Sequence, residues 1–458
     1  MNEDTIAAIS TPFGVGGIGI IKISGPRALE IACTLFRSSG LQGTPASHRL
    51  YYGEVINPGE GSSIDEVLLS FMAKPHSYTR EDVVEINCHS GFLVLKKILE
   101  LVIKSGARLA GPGEFTKRAF LNGRIDLAQA EAVMDLIEAK SLTALSVASS
   151  QLKGYLSQEV NRIKEDLVVI LSHLEARIDF PEENIEPFSQ GEIQEQVKVA
   201  LDAVQSLLET CEEGKLYREG IAVIIAGRPN AGKSSLLNAL VGEKKAIVTP
   251  IPGTTRDAIE DMISLKGVPV KIIDTAGLRE VTDLVEKEGV QVTRDKVAQA
   301  DLVVLVIDSH QALDDEDRRI KKELEGKRVL IAFNKIDLPP RISLDQVKME
   351  FSGVVVVPIS ALHRTGLEEL REAIVSEVIR HKIESPAEVL VTSLRHKQAL
   401  DEAAGSFIQF LANISQDLPP EYLAQDLQAG LESLGEIVGE TSREEILDQI
   451  FSRFCIGK

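Results

Sequence analysis

Gly227-Arg228-Pro229-Asn230-Ala231-Gly232-Lys233-Ser234 fits G-x-x-x-x-G-K-[ST]. It lies between an apolar, β-like run at 221–226 and a helix-like run opening at Ser235, the strand-to-helix setting that a phosphate-binding loop needs. Each part has a physical task. Glycines let backbone amides turn inward around phosphates, Lys233 neutralises β and γ charge, and the Ser234 hydroxyl reaches Mg2+. The loop predicts a doubly wound α/β domain with a nucleoside triphosphate as its first ligand.

Asn334-Lys335-Ile336-Asp337 follows the apolar run 328–333. A carboxylate at Asp337 accepts two hydrogen bonds from guanine, from N1 and the amino group, and adenine offers no such pair. Asp274-Thr275-Ala276-Gly277 closes another apolar run, where Asp274 holds the Mg2+ shell and the Gly277 amide senses the γ-phosphate. Gly253-Thr254-Thr255-Arg256-Asp257 supplies switch-loop hydroxyls, and Ser360-Ala361 the loop that packs against the base. In this order the set resembles the G motifs of translation-factor-type GTPases. In many GTPases a glutamine after D-x-x-G orients the attacking water. Here that residue is Leu278, leaving Glu280, Asp283, Glu286 and Glu288 as carboxylate candidates, or else a solvated charge run. The side-chain carbonyl of Asn230 can coordinate a monovalent cation beside the phosphates, where an arginine finger otherwise stabilises charge. The loop before Thr254 would complete that shell.

At 458 residues, the chain has room for roughly three domains of about 150 residues. Its 44% hydrophobic and 26% charged composition, without Trp, is that of a globular protein able to bury real cores. No apolar run approaches a membrane span, and Met1-Asn2-Glu3-Asp4 lacks a basic signal region, so the expected location is the cytoplasm, with no membrane contact. A net charge of −19 argues against a surface that coats nucleic acid broadly and leaves room for a local basic patch. Cys33, Cys88, Cys211 and Cys455 are far apart, which suggests neither a disulfide framework nor a zinc cluster.

Short β-like runs at 19–24, 67–72 and 82–88, with amphipathic stretches at 26–36 and 91–104, predict an α+β domain over residues 1–122. Helical periodicity then runs to about residue 177, breaks at 181–187, and resumes at 193–213. It returns at 386–414 and 420–438, with a last helix opened by the capping box Thr441-x-x-Glu444. The expected organisation is an N-terminal domain (1–122), a helical segment (123–215), the GTPase (216–380) and a second helical segment (381–458). The two helical segments would form one bundle with the GTPase inserted between them.

Pro112-Gly113-Glu114-Phe115-Thr116-Lys117-Arg118-Ala119-Phe120-Leu121-Asn122, Asp126-Leu127-Ala128-Gln129-Ala130-Glu131-Ala132, the P-loop with its continuation to Leu240, and the terminal Phe454-Cys455-Ile456-Gly457-Lys458 strongly resemble the MnmE (TrmE) family of tRNA-modification GTPases. The resemblance spans essentially the whole chain. It implies a homodimer that assembles with the flavoprotein MnmG (GidA), carrier of FAD, into a heterotetramer. Together these add an aminomethyl or carboxymethylaminomethyl group to C5 of the wobble uridine of certain tRNAs, with the carbon drawn from 5-formyl- or 5,10-methylene-tetrahydrofolate. It also implies that the N-terminal domain binds folate and dimerises, with Lys22, Glu85, Arg124 and Lys458 as the folate contacts.

For the GTPase, the resemblance places K+ on Asn230, Thr249, Ile251 and Thr254, with Pro250, Pro252 and Gly253 in the same loop. It places Mg2+ on Ser234 and Thr255, nucleotide contacts on Ala231, Gly232, Lys233 and Ser235, and the water-activating carboxylate on Glu286. Cys455 is read either as a nucleophile or redox group, or as a small side chain packed near the folate site. A ribosome-assembly switch of the Era or Der type shares the G-motif style, but usually carries a basic RNA-binding module.

Overall fold

The computed structural model describes residues 4–12, 14, 16–41, 43–180, 188–242, 260–274, 300–378, 389–441 and 444–458. The chain forms two compact units, neither continuous in sequence: Met1–Met134 with Leu152–Val168 and Gln428–Lys458, and Asp135–Gln151 with Val169–Leu427. This division assigns the helical segments partly to one unit and partly to the other.

The first unit is built on a seven-stranded sheet of β1 (Ile6–Ile9), β2 (Gly19–Ser24), β3 (Phe36–Arg37), β4 (Arg49–Ile56), β5 (Ser63–Met72), β6 (Val83–Cys88) and β7 (Arg108–Leu109), in the order β3-β4-β5-β6-β2-β1-β7. Every pairing is antiparallel except β1 with β7. Strand alternation decides the two faces. Ile21 and Ile23 of β2, Leu69 of β5, and Val84 and Ile86 of β6 point to one side, where α1 (Ala28–Leu35) and α2 (Phe92–Lys104) cover them with Ile31, Leu35, Leu95 and Ile98. The intervening residues, Lys22 and Glu85 among them, fall on the other face.

α3 (Glu114–Leu121) is fixed to this unit by the burial of Phe115 against Ile6, Ala8 and Ala110 and by an ion network. Arg118, 3% exposed, pairs with Asp4 (2.7 Å), Glu81 (3.1 Å) and Glu114 (3.1 Å), and Arg108 joins Glu114 (2.5 Å) and Asp4 (2.6 Å). Burial alone would raise the Glu114 pKa, but the Arg108 guanidinium, the Gly111 amide and Arg118 outweigh it and bring it to about 2. A carboxyl whose folded pKa is depressed stabilises the fold above its unfolded value, near 4.5, and loses that contribution as pH falls toward 2. Glu114→Gln, which leaves two guanidiniums underpaired, should therefore cost about 3 kcal/mol at pH 7. The cost should shrink between pH 4.5 and 2, and chemical denaturation across that range checks it; a loss that does not vary with pH would remove the ionic role.

Helices α4 (Leu127–Glu138), α5 (Leu142–Leu152), α6 (Tyr155–Asp179), α7 (Gln190–Glu209) and α8 (Cys211–Glu219) follow. The run expected at 193–213 is thus two helices, the first opened by a capping box between Ser189 and Glu192. In the second unit a six-stranded sheet takes the order β13-β12-β11-β8-β10-β9. Its elements, in sequence, are β8 (Ile221–Gly227), α9 (Lys233–Val241), β9 (Glu260–Leu265), β10 (Val268–Asp274), β11 (Leu302–Asp308), α10 (Asp315–Glu323), β12 (Val329–Asn334), α11 (Leu344–Glu350), β13 (Val355–Pro358) and α12 (Leu367–Val378). All pairs are parallel except β10 with β9. Every residue of β11 is buried, as a central parallel strand covered on both faces must be. This is the doubly wound α/β architecture of a P-loop GTPase.

The remaining helices are α13 (Leu394–Ser415), α14 (Pro420–Val438) and α15 (Glu444–Ser452). α13 packs on α7, joining the segments before and after the GTPase. It opens at Leu394 rather than at 386, because tertiary hydrogen bonds hold the residues ahead of it outside the helix. Gln151 Nε2 donates to Leu390 O (2.9 Å) and Thr392 Oγ1 (3.0 Å), and Val391 N donates to Thr210 Oγ1 (3.1 Å). The Thr441 hydroxyl ahead of α15 donates to Glu432 O (3.1 Å). Leu447 and Phe451 of α15, with Phe454 just beyond it, pack on Leu127 and Ala130, which returns the C-terminal segment to the first unit.

Candidate nucleotide site and a second polar cluster

β8 runs between β11 and β10 and ends at Gly227, whose φ of 142° and close approach to its neighbour demand glycine. A Cβ there would sit 2.5 Å from Val306 O. At Gly232 (φ 101°) a side chain would run into Asn334 Nδ2. The loop then feeds α9, whose first turn carries Lys233, Ser234 and Ser235 with both serines exposed, so the positive dipole end of the helix opens onto the loop, where an anion is favoured. Lys233 Nζ donates to Gly227 O (2.9 Å) and Arg228 O (2.8 Å), which poises the ammonium over the loop for phosphate oxygens to engage. Asn230 takes φ 61°, tolerable for its short polar side chain, which is exposed.

The residues expected to read the base converge on the same loop. Asn334, 2% exposed, donates from Nδ2 to Ala231 O (2.9 Å) and accepts at Oδ1 from the Ala361 amide (3.0 Å), tying both loops together. Lys335 Nζ bridges Asn230 O (2.8 Å) and Asp308 Oδ2 (2.7 Å). Asp337 accepts at Oδ1 from Ser360 Oγ (2.6 Å), with His363 Nε2 3.9 Å from Oδ2. The Ser360 hydrogen bond, with Coulombic help from His363 and Lys335, holds the Asp337 carboxyl below its ordinary value, so it stays an acceptor at neutral pH.

Thr249, Pro250, Ile251, Pro252, Gly253, Thr254, Thr255, Thr275, Ala276, Gly277 and Glu286 lie outside the described residues, as do Glu280, Asp283 and Glu288. Of Asp274 only the backbone, closing β10, is described. Sequence reasoning passed over Asp308 and Arg228. An aspartate ending a wholly apolar strand was a readable signal for the first.

In the first unit, Lys22, Glu85, Arg124 and Lys458 come together. Register pairs Lys22 of β2 with Glu85 of β6, and their side chains form an ion pair at 3.6 Å. Lys22 Nζ lies 5.3 Å from the Tyr78 ring centre and 5.6 Å from that of Phe115. Arg124 stacks on Tyr78 at 4.6 Å and donates to Tyr78 O (3.0 Å). Burial lowers the Lys22 pKa; Glu85 opposes this, while the charges of Lys458 and Arg124 reinforce it. The C-terminal segment is held in place by Phe115 N donating to Lys458 O (3.1 Å), a β-bridge between Pro112 and Ile456, and Ser10 Oγ donating to Gly457 O (3.1 Å). Cys455 is exposed, which sets aside the packed reading of its side chain. Beside Arg124, a cavity of about 350 Å³ is lined by Phe120, Ile125, Gln129 and Val438.

No described helix is long and apolar enough to cross a membrane. Among the described residues no group of three or more His, Cys, Asp or Glu is placed to hold a metal ion.

Residues 5–124 match the N-terminus of the GTP-binding protein TrmE, and residues 127–455 match the MnmE helical domain. The tRNA modification GTPase MnmE of Geobacter sulfurreducens is 48% identical over 457 residues, covering 100% of this chain and 99% of that one. Those of Acetivibrio thermocellus and Natranaerobius thermophilus are each 46% identical, covering 100% of this chain and 99% and 100% of theirs. With the N-terminal unit, the helical segments and the P-loop domain all matched at nearly equal length, this chain belongs to the MnmE family of tRNA modification GTPases.

Proposed function

We propose that K+-stimulated GTP hydrolysis by this chain serves a one-carbon transfer from tetrahydrofolate to C5 of the wobble uridine of certain tRNAs. The reaction is carried out in the cytoplasm with the flavoprotein MnmG (GidA) in a heterotetramer. The four-part organisation (1–122, 123–215, 216–380, 381–458) belongs to the same reading. Its main support is the meeting of Lys22, Glu85, Arg124 and Lys458, drawn from four separate parts of the chain, around the rings of Tyr78 and Phe115. Glu85 is a strand carboxylate with a cross-strand partner, Lys22. At 3.6 Å, however, the pair is longer than a hydrogen bond and leaves the carboxylate able to accept from a pterin's amino and N–H donors. The three cations suit the carboxylates of a folate tail, and the aromatic faces its flat rings.

A homodimer fits the exposed apolar patch of Leu50, Tyr52 and Leu68 (65%, 64% and 42% exposed). Register places Leu50, Ser70, Glu85 and Lys22 in one row across the sheet, so the patch shares the face that carries the cluster. Glu85→Ala should weaken 5-formyltetrahydrofolate binding by about tenfold or more, the worth of one lost charged hydrogen-bonding pair. GTP turnover should be unchanged, and tRNA from cells carrying only the variant should lack the modified wobble uridine by nucleoside mass analysis. Wild-type folate affinity in the variant removes Glu85 from the site, and normal wobble uridine in cells lacking the chain overturns the proposal.

In the GTPase, an oxygen donor set suits the hard ions required. The exposed Asn230 amide would hold K+ with Thr249, Ile251 and Thr254, and Ser234 with Thr255 would hold Mg2+, supplying positive charge where phosphoryl transfer builds negative charge. Replacing K+ by Na+ should lower kcat by roughly one to three decades. Equal rates in the two salts would refute the cation assignment. No observation on this chain favours the ribosome-assembly alternative.

A further inference from the structure

Arg228, the second residue of the P-loop, takes part in none of the roles assigned above, yet its side chain is only 12% exposed. Its guanidinium is inserted into the loop between β11 and α10. Nη1 pairs with Asp314 and lies 3.4 Å from Asp317 Oδ2, while Nη2 donates to Gln311 Oε1 (2.7 Å) and Ala312 O (3.4 Å). The receiving loop is itself fixed. Asp314 caps α10, accepting from the Glu316 amide (2.9 Å) and the Asp317 amide (3.4 Å), and its own amide donates to Asp317 Oδ2 (3.1 Å). At its other end Asp308 accepts from the His310 amide (2.9 Å) and from Lys335 Nζ, which also holds Asn230 O.

Residues 228 and 230 of the P-loop are therefore both strapped to one loop, on either side of Pro229. Between them they set the carbonyls of Gly227 and Arg228 that receive Lys233 Nζ. A phosphate-binding loop works by presenting amides and an ammonium already in place, and any time it spends in other shapes reduces the apparent affinity in proportion. The charge of Arg228 is taken up by two carboxylates, so it is not held in reserve for the transition state. We propose that Arg228 is a positioning residue that keeps the P-loop in its phosphate-binding shape, and that it governs how long nucleotide stays bound rather than how fast bound GTP is cleaved.

The test uses the full chain in KCl and compares Arg228→Ala, Arg228→Lys and Gln311→Ala by release of a fluorescent GDP analogue and by GTP kinetics. Arg228→Ala should speed release about 10- to 30-fold and raise KM by a similar factor, with kcat at saturating GTP within about threefold of the parent. Arg228→Lys should recover most of the loss, because one ammonium can satisfy the aspartates but not also Gln311. Gln311→Ala, which changes no charge, should speed release about two- to fivefold. A parental release rate in Arg228→Ala, with only thermal stability reduced, would make the residue merely structural and overturn the proposal. So would a fall in kcat at saturating GTP with KM unchanged, which would make it a transition-state group. If Arg228→Ala does not fold, parental release rates in both other variants overturn the proposal equally.

Discussion

Glu286→Ala is expected to lower kcat for GTP by roughly two to four decades, while the affinities for GTP and GDP stay within about threefold. The reason is the place of Leu278, which follows D-x-x-G and has no group able to orient a water. A carboxylate supplied from the following segment would do its work when the water attacks, so its loss would fall on the transition state and not on the ground state. Nucleotide affinity would be carried elsewhere, by Lys233 over the P-loop carbonyls and by the arrangement of Asn334, Asp337 and Ser360 proposed to receive the base. Nothing in those contacts draws on residue 286. Single-turnover hydrolysis in KCl, beside equilibrium binding of a fluorescent GDP analogue, separates the two quantities. An unchanged kcat returns the role to Glu280, Asp283 or Glu288, or removes it from this segment. A parallel loss of binding would mean that the residue supports the loop fold and not the water.

The P-loop was legible because strand, turn and helix are contiguous, and each glycine answers a local demand that a pattern can express. Asn334 and Asp337 were legible for the same reason, as residues closing an apolar run. What motifs do not show is where side chains go once strands are in register. Lys22 and Glu85 meet only because β2 lies beside β6, and a single strand gives no sign that the carboxylate has a cross-strand partner. The motif from Pro112 to Asn122 was conspicuous, but its meaning as an ion network depends on Asp4, Glu81 and Arg108, which enter from other elements. The opening of α13 was misread because helical periodicity continued through residues that Gln151 and Thr210 hold by tertiary hydrogen bonds. Propensity yields to such bonds whenever they satisfy backbone groups that a helix would otherwise serve.

Asp337→Asn should raise the Kd for GTP by about two to four decades and make xanthosine triphosphate the preferred nucleotide. The size follows from geometry rather than from the loss of one contact. Ser360 Oγ donates to Asp337 Oδ1 at 2.6 Å, so in the variant the amide oxygen is retained at Oδ1 and the amide nitrogen is turned to the other side. That nitrogen then meets the guanine amino group, donor against donor, in a partly enclosed site, and neither group can recover its lost water bond. Xanthine carries an oxygen at C2 and accepts from the same nitrogen, while its N1–H still finds Oδ1. The phosphate end is untouched, since Asn334 and Lys335 hold Ala231 and Asn230 independently of Asp337. Saturating xanthosine triphosphate should therefore restore kcat to within about threefold of the parent with GTP. Guanine preference that survives the substitution would show that residues 334–337 do not read the base. Loss of turnover with both nucleotides would instead trace the defect to the Ser360 loop, because a substituted side chain that no longer anchors Ser360 would release Ala361, and with it the amide that fixes Asn334 against the P-loop.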